Sequence, residues 1–354
     1  MIYKINIFIK SVGVLLFLFI SLSCSELLVE NPNLESNDQD FENTWNFIND
    51  VYPYFELKGV DWDMIYEKYH PIVTQTQGDK FLSILVDMLG ELKDGHTYIK
   101  TIGGQKIKTY IPPRRIRDMY SFSPLVVRKY FEKELKVTGI GGIEYGIGLD
   151  NIGYIQIGSF GSALNFIESF NVALNHMKST SSLIIDVRHN TGGDGVNAVY
   201  VVSCFLNDPL EGLKTYVLGK LTDQELIQPN TNIQYGGKVV VLTNGVCYSA
   251  TESFVEIMKQ IPTVTVIGDT TGGGSAGYFG YEYPASGNLM LSNGVEIHVG
   301  TIDIRRYDDI PFENIGITPD IRVYQCEKDI LDGYDIQLET ALELLNTNSV
   351  IDIL

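Results

Sequence analysis

Ser249 stands where a nucleophile could be built. It lies between a run of buried-strand type, Val239 to Leu242, and a helical pattern that opens Ser249-Ala250-Thr251-Glu252. The positive end of a helix favours negative charge developing on a reacting oxygen. The same four residues satisfy the capping-box pattern, in which Ser249 is a helix cap contributing roughly 1 kcal/mol. On local sequence the cap is the preferred reading, and a nucleophile also needs a base. Lysine is eliminated near at hand: Lys259 lies about 15 Å along the same helix at ~1.5 Å per residue, and no lysine occurs from Gly268 to Glu313. Among the histidines, His70 and His176 fall in helical patterns that suit solvent-facing or capping roles. His189 follows a strand and His298 sits in one, so each is structural or site-lining. His96 occupies a turn, Lys93-Asp94-Gly95-His96-Thr97, and turns held by rigid elements are where catalytic groups concentrate. In isolation such a histidine is still more often structural.

A second feature is Asp186-Val187-Arg188-His189-Asn190-Thr191-Gly192-Gly193, a hydrophobic strand that ends in a glycine pair before a helix. Backbone N–H groups left free there could form an oxyanion hole. A tight turn would use the same glycines. Cys204, Cys247 and Cys326 lack the paired spacing of a zinc site. Cys247 has no basic neighbour to activate it, so it reads as a buried thiol. The glycines from Gly139 to Gly148 fit neither a dinucleotide fingerprint nor a P-loop. No metal, nucleotide or other cofactor is expected.

The elements that must position these residues follow from periodicity. From Asp40 to Leu92 apolar residues recur at three- and four-residue spacing, predicting a bundle of about three helices with Asp61 as an N-cap. Residues 100–152 read as short strands and turns, too short for a peptide-binding PDZ module. From Gly153 strands and helices alternate, which predicts an α/β domain over 153–346. The expected organisation is a leader over 1–23, a polar tether over 24–38, the bundle over 39–95, a small strand-and-turn region over 96–152, then the α/β domain.

Lys4, Lys10 and the apolar run Val12 to Leu22 form an export signal too short to span a bilayer. Ser21-Leu22-Ser23-Cys24 is similar to a bacterial lipobox, so Cys24 is the expected lipid anchor. That places the chain in the bacterial cell envelope, on the periplasmic or outer-membrane side, as a membrane-anchored lipoprotein. A net charge of -18 and a pI near 4.6 exclude a basic nucleic-acid-binding face.

Six motifs in order resemble the S41 peptidases, the tail-specific or C-terminal processing proteases and their tricorn-core and retinoid-binding-protein relatives. They are LKDGHT (Leu92 to Thr97), GYIQIGSF (Gly153 to Phe160), DVRHNTGG (Asp186 to Gly193), YSATE (Tyr248 to Glu252), IGDTTGG (Ile267 to Gly273) and FENIGITPD (Phe312 to Asp320). The resemblance covers roughly residues 40–330. It implies a ClpP/crotonase-like core of ββα units and the roles that follow. Ser249 matches the nucleophile, and the processing proteases' lysine falls at Gly274. The chain therefore resembles the tricorn-type branch, with His96 as base and Glu313 as the orienting carboxylate. Gly95 stands where that branch has a serine. Gly192 or Gly193, with the N–H of Ala250, would form the oxyanion hole. Arg305 and Arg306 are weaker candidates for a substrate carboxylate; a solvated strand edge explains them better.

The expected function is hydrolysis of a peptide or protein by an exported serine peptidase. The alternative is a binding protein that uses the same fold to hold a peptide or apolar ligand without turnover. Ester hydrolysis by the same residues is a third reading.

Overall fold

The computed structural model describes residues 34–351 apart from 77–79, 132, 139–141, 162–164 and 278–286. The leader, the lipobox and Cys24 lie outside the described residues. The chain begins with α1 (Leu34–Val51), α2 (Phe55–Lys58), α3 (Trp62–Val73) and α4 (Lys80–Gly90). Their apolar stripes meet: Phe41, Ile48, Leu85 and Met88 are fully buried. Two tryptophans tie α1 to α3 reciprocally, each indole N–H donating to the other residue's carbonyl at 3.1 Å. Asp61 caps α3 through the Met64 N–H at 3.0 Å, as its position predicts. Helix α1 starts inside the segment expected to be tether, where the Asp38 carboxylate meets His70 at 2.9 Å.

Next come β1 (Tyr98–Lys100), β2 (Lys106–Lys108), α5 (Pro113–Arg117), α6 (Pro124–Val127), β3 (Lys136–Thr138) and β4 (Ile143–Ile147). The expected strand-and-turn region thus includes two short helices, each started by a proline whose fixed φ suits a first turn. Nor do its strands make a unit of their own. Strands β1 and β2 belong to one sheet, β3 and β4 to another.

The alternating part runs β5 (Ile152–Ile157), α7 (Phe166–His176), β6 (Ser182–Asp186), α8 (Gly195–Ser203), β7 (Leu210–Val217), β8 (Lys220–Ile227), β9 (Lys238–Thr243), α9 (Ala250–Met258) and β10 (Val264–Gly268). It continues through β11 (Ala276–Gly277), β12 (Asn288–Met290), β13 (Glu296–His298), β14 (Ile302–Arg305), β15 (Ile321–Arg322), α10 (Glu327–Asp332) and α11 (Ile336–Ile351). The main sheet has the order β15-β10-β9-β6-β5-β4-β3. Strands β15, β10, β9, β6 and β5 run parallel, and β4 and β3 close the far edge antiparallel. Helices cover both faces, so β6 and β9 are continuous apolar runs rather than alternating ones. Two antiparallel sheets flank it, β12-β13-β1-β2 and β11-β14-β7-β8. The first packs on the helical bundle through Ile99 and Ile297. Strands β13 and β14, close in sequence, serve different sheets.

The end of β6 is fixed by a charge cluster with no access to solvent. Arg188 donates to Asp186 through Nε (3.0 Å) and Nη2 (2.6 Å), and to Asp335 through Nη1 (2.7 Å) and Nη2 (2.9 Å). The Tyr154 hydroxyl also donates to Asp186, at 2.8 Å. This joins the loop after β6 to the start of α11. Removing one partner from such a cluster leaves buried charge uncompensated, which costs about 3–5 kcal/mol. Arg188→Met is therefore expected to lose stability on that scale in urea unfolding. A loss below about 1 kcal/mol would show that the cluster does not hold this end of the sheet.

Candidate active site

Ser249 sits at the junction of the β9 loop and α9 with φ 59° and ψ -129°, a conformation that non-glycine residues rarely adopt. The surroundings enforce it. The Glu252 carboxylate accepts hydrogen bonds from the Ser249 N–H (3.3 Å), the Gly273 N–H (2.8 Å), the Gly274 N–H (2.6 Å) and the Thr271 hydroxyl. The Glu252 half of the capping box is in place, but the Glu252 N–H donates to the Ser249 carbonyl at 2.7 Å and the serine hydroxyl makes no cap hydrogen bond. Cap geometry and a free hydroxyl coexist. Burial pushes the Glu252 carboxyl up to about 7, while its donors pull in the opposite direction.

The glycine pair after β6 lies directly against this serine. A Cβ on Gly192 would fall 2.7 Å from the Ser249 Cβ, and one on Gly193 would fall 2.4 Å from the Gly161 nitrogen. Neither position has room for a side chain. The two N–H groups have different fates. The Gly192 N–H donates to the Asn190 side chain at 2.9 Å, and that side chain is anchored to the Ile157 carbonyl at 3.0 Å. Phe160 and Asp194 pair with the outer edge of the loop, leaving the Gly193 N–H without a protein partner among the described residues. Ala250, as the first residue of α9, likewise has no intrahelical acceptor. The Gly193 and Ala250 amides are therefore the free donors beside Ser249.

His96 and Ser249 line one cleft of about 660 Å³, together with Arg115, Tyr248, Val196, Leu213 and Ile304. Neither ring nitrogen of His96 has a hydrogen-bond partner among the described residues. The nearest carboxylate is Asp94: its Oδ1 accepts the His96 backbone N–H at 2.8 Å and lies 3.9 Å from Nδ1. Burial lowers the His96 pKa to about 4; Asp94 opposes that shift, and Lys58, Arg115 and Lys108 add to it. The imidazole is thus neutral at pH 7 and able to accept a proton.

Glu313 lies one layer further back. Its Oε2 accepts the Ser275 N–H (2.6 Å) and the Ala276 N–H (3.1 Å), and its Oε1 pairs with Lys58 at 2.8 Å. Lys58 also lies 3.6 Å from Asp94 and donates to the Tyr52 hydroxyl at 2.7 Å. Glu313 therefore reaches His96 through Lys58 and Asp94 rather than by touching it. Burial, with Asp94 nearby, pushes the Glu313 carboxyl up to about 7, against the pull of Lys58. Asp94 was legible in the sequence as part of the Asp-Gly-His turn. Lys58 had no signal, because both its partners are remote in the chain.

Arg305 and Arg306 do not line this cleft. Arg305 is paired with Asp303 at 2.6 Å, and Arg306 with Glu256 at 2.9 Å and Asp308 at 3.2 Å, so both guanidiniums are ion-paired. His189 is turned toward the Asp118 carbonyl at 3.1 Å, a structural role. Cys247 is fully buried and its thiol pKa is pushed upward, consistent with an inert side chain.

Known proteins share this sequence and fold. Residues 151–323 match the model of peptidase family S41, and residues 35–90 match the tricorn protease C1 domain. A candidate peptidase of Parabacteroides merdae, known from its crystal structure, is 30% identical with a TM-score of 0.75, over 88% of this chain and 96% of that one. The tricorn protease of Thermoplasma acidophilum is 26% identical over 196 residues, 55% of this chain and 16% of its own length. A candidate tricorn-like protease C-terminal subunit of Sulfurisphaera tokodaii is 28% identical over 193 residues, 54% of this chain and 21% of its own length. The chain thus spans about a quarter or less of these two relatives. With the fold, the family model and the full-length relative in agreement, the chain belongs to peptidase family S41, a family of serine hydrolases.

Proposed function

We propose that this chain hydrolyses peptide bonds, with Ser249 as nucleophile and His96 as general base. The observation that carries the reading is the strained Ser249 opening a helix, in one cleft with a neutral histidine and beside the unpartnered Gly193 and Ala250 amides. The Ser249 oxygen attacks the substrate carbonyl carbon and its proton passes to the free His96 nitrogen. The carbonyl oxygen becomes an oxyanion, held by the two amides. Collapse expels the amine, which takes the proton from His96, and water then repeats the sequence to release the acyl group. Asp94 stabilises the transient imidazolium, and Glu313 fixes Lys58 and the Ser275–Ala276 backbone behind it.

A binding protein without turnover is the second reading, and one observation favours it: the His96 nitrogens are not hydrogen-bonded to Ser249 in the free chain. In unliganded serine hydrolases this contact often tightens only on substrate binding. A fluorophosphonate probe is expected to label the wild type and not Ser249→Ala, and His96→Ala should lose peptide turnover by 10³-fold or more, a scale of ~4 kcal/mol. Equal labelling of both proteins would remove Ser249 as nucleophile.

The pH dependence separates this base from an ordinary histidine. The base works unprotonated, so activity is lost as pH falls through its pKa. With that value depressed to about 4, kcat/KM of a fluorogenic peptide should hold its plateau through pH 6 and decline only near the bottom of the acid range. A limb centred near pH 6.5 would mean that His96 is solvated as in a model peptide.

We also propose export and lipid anchoring at Cys24 in the cell envelope, supported by the basic residues, apolar run and cysteine of the first 24 residues. Metabolic labelling with radioactive palmitate should mark the wild type in a bacterial host and not Cys24→Ala. Labelling that survives the substitution would end that reading.

A further inference from the structure

The tyrosine ahead of the nucleophile is packed in an unusual way. The Tyr248 side chain is 3% exposed, and its ring lies 4.8 Å from that of His96 at an interplanar angle of 31°. The Arg115 guanidinium stands over the same ring at 5.1 Å. Three glycines from two different loops also lie against the ring. A Cβ on Gly274 would fall 2.0 Å from the ring carbon Cζ, one on Gly272 2.8 Å from Cδ2, and one on Gly95 2.6 Å from the hydroxyl oxygen. All three positions must be without side chains for this ring to lie where it does. Two of them, Gly95 and Gly274, come from turns far apart in the chain and meet the ring at its hydroxyl end. One side chain occupies both spaces.

We propose that Tyr248 is a positioning residue for His96. Its aromatic face, rather than its hydroxyl, holds the imidazole against the cleft and keeps water from that side of the ring. The hydroxyl is the lesser part because it is buried with no hydrogen-bond partner among the described residues, and neither nitrogen of His96 reaches it. The ring, by contrast, touches the imidazole directly. Its position is fixed by its chain neighbour Ser249, so nucleophile and base are registered through a single dipeptide. The charged groups that also face His96 are Asp94 in its own turn, Lys58 of α2, Lys108 of β2 and Arg115 of α5. Removing the ring opens the histidine to water among these four, so the proton is bound more readily and the acid limb moves to higher pH.

The proposal rests on His96 being the base, and its test has one arm that needs no catalysis. Ring-proton NMR follows His96, assigned by its absence in His96→Gln, in the wild type, Tyr248→Phe and Tyr248→Ala. Turnover of a fluorogenic peptide is measured on the same proteins. Tyr248→Phe should keep kcat within about twofold and the same His96 titration, and unfold a few degrees higher because an unpaired buried hydroxyl is gone. Tyr248→Ala should lower kcat about tenfold or more with KM within about threefold, and raise the His96 titration by about one pH unit. Three results would overturn the proposal: an unchanged titration in Tyr248→Ala, a phenylalanine variant as impaired as the alanine one, or an alanine variant faster than wild type, which would make Tyr248 a plug. If Tyr248→Ala does not fold, Tyr248→Leu replaces it, with the same upward titration expected and an unchanged one overturning the proposal. If no variant turns over peptide, including the wild type, the enzymatic reading falls while the NMR arm still decides the role of Tyr248.

Discussion

The arrangement depends first on a buried carboxyl group that has no ion-pair partner among the described residues. Glu252 is fully buried, and the partners that satisfy it are neutral: three backbone amides and the Thr271 hydroxyl. Each amide belongs to a residue whose placement matters, Ser249 on one side and the Gly273–Gly274 loop on the other. Thr271 passes the constraint on, since its hydroxyl oxygen accepts the Ile317 N–H at 2.7 Å, just beyond the turn that carries Glu313. Burial of the carboxyl opposes ionisation, and the convergence of four donors is what makes the site tolerable. The strained backbone at Ser249 is held by that convergence rather than by any preference of serine for its φ and ψ.

The site is divided between parts of the chain that fold against different neighbours. Ser249 and the Gly193 and Ala250 amides come from the parallel sheet, where strand ends and helix starts leave N–H groups unpaired. His96 and Asp94 come from the turn between α4 and β1, which the helical bundle holds from the other side. The cleft is where the two meet, so its geometry is a property of their packing. The depressed basicity of His96 follows from the same fact, because the meeting surfaces exclude water from the imidazole.

Much of this was legible in the residues. Continuous apolar runs such as Val239 to Leu242 announced buried parallel strands, and the three- and four-residue spacing from Asp40 to Leu92 announced the bundle. Ser249, His96, Gly193 and Ala250 were each named from local pattern and resemblance, and the cleft brings them together. What could not be read was long-range pairing. Lys58 and Arg188 look like any other cations in sequence, yet both are buried against carboxylates far along the chain. Arg306 also has a remote partner in Glu256, whereas its pair with Asp308 and that of Arg305 with Asp303 are local. Residues 100–152 read as strands and turns, so the helices that Pro113 and Pro124 begin were not anticipated.

The ion pair between Lys58 and Glu313 has a consequence for how this protein can be divided. One partner belongs to the second helix, the other to a turn near the far end of the α/β part, and both are sealed from solvent. A cut placed where the sequence pattern changes, near residue 150, would leave Glu313 buried without its cation and separate Ser249 from His96. The helices are therefore no appendage that could be lost, shuffled or exchanged while the alternating strands and helices carried on alone. Recombination within this architecture must keep both ends together, and heredity sees a single module where composition shows two.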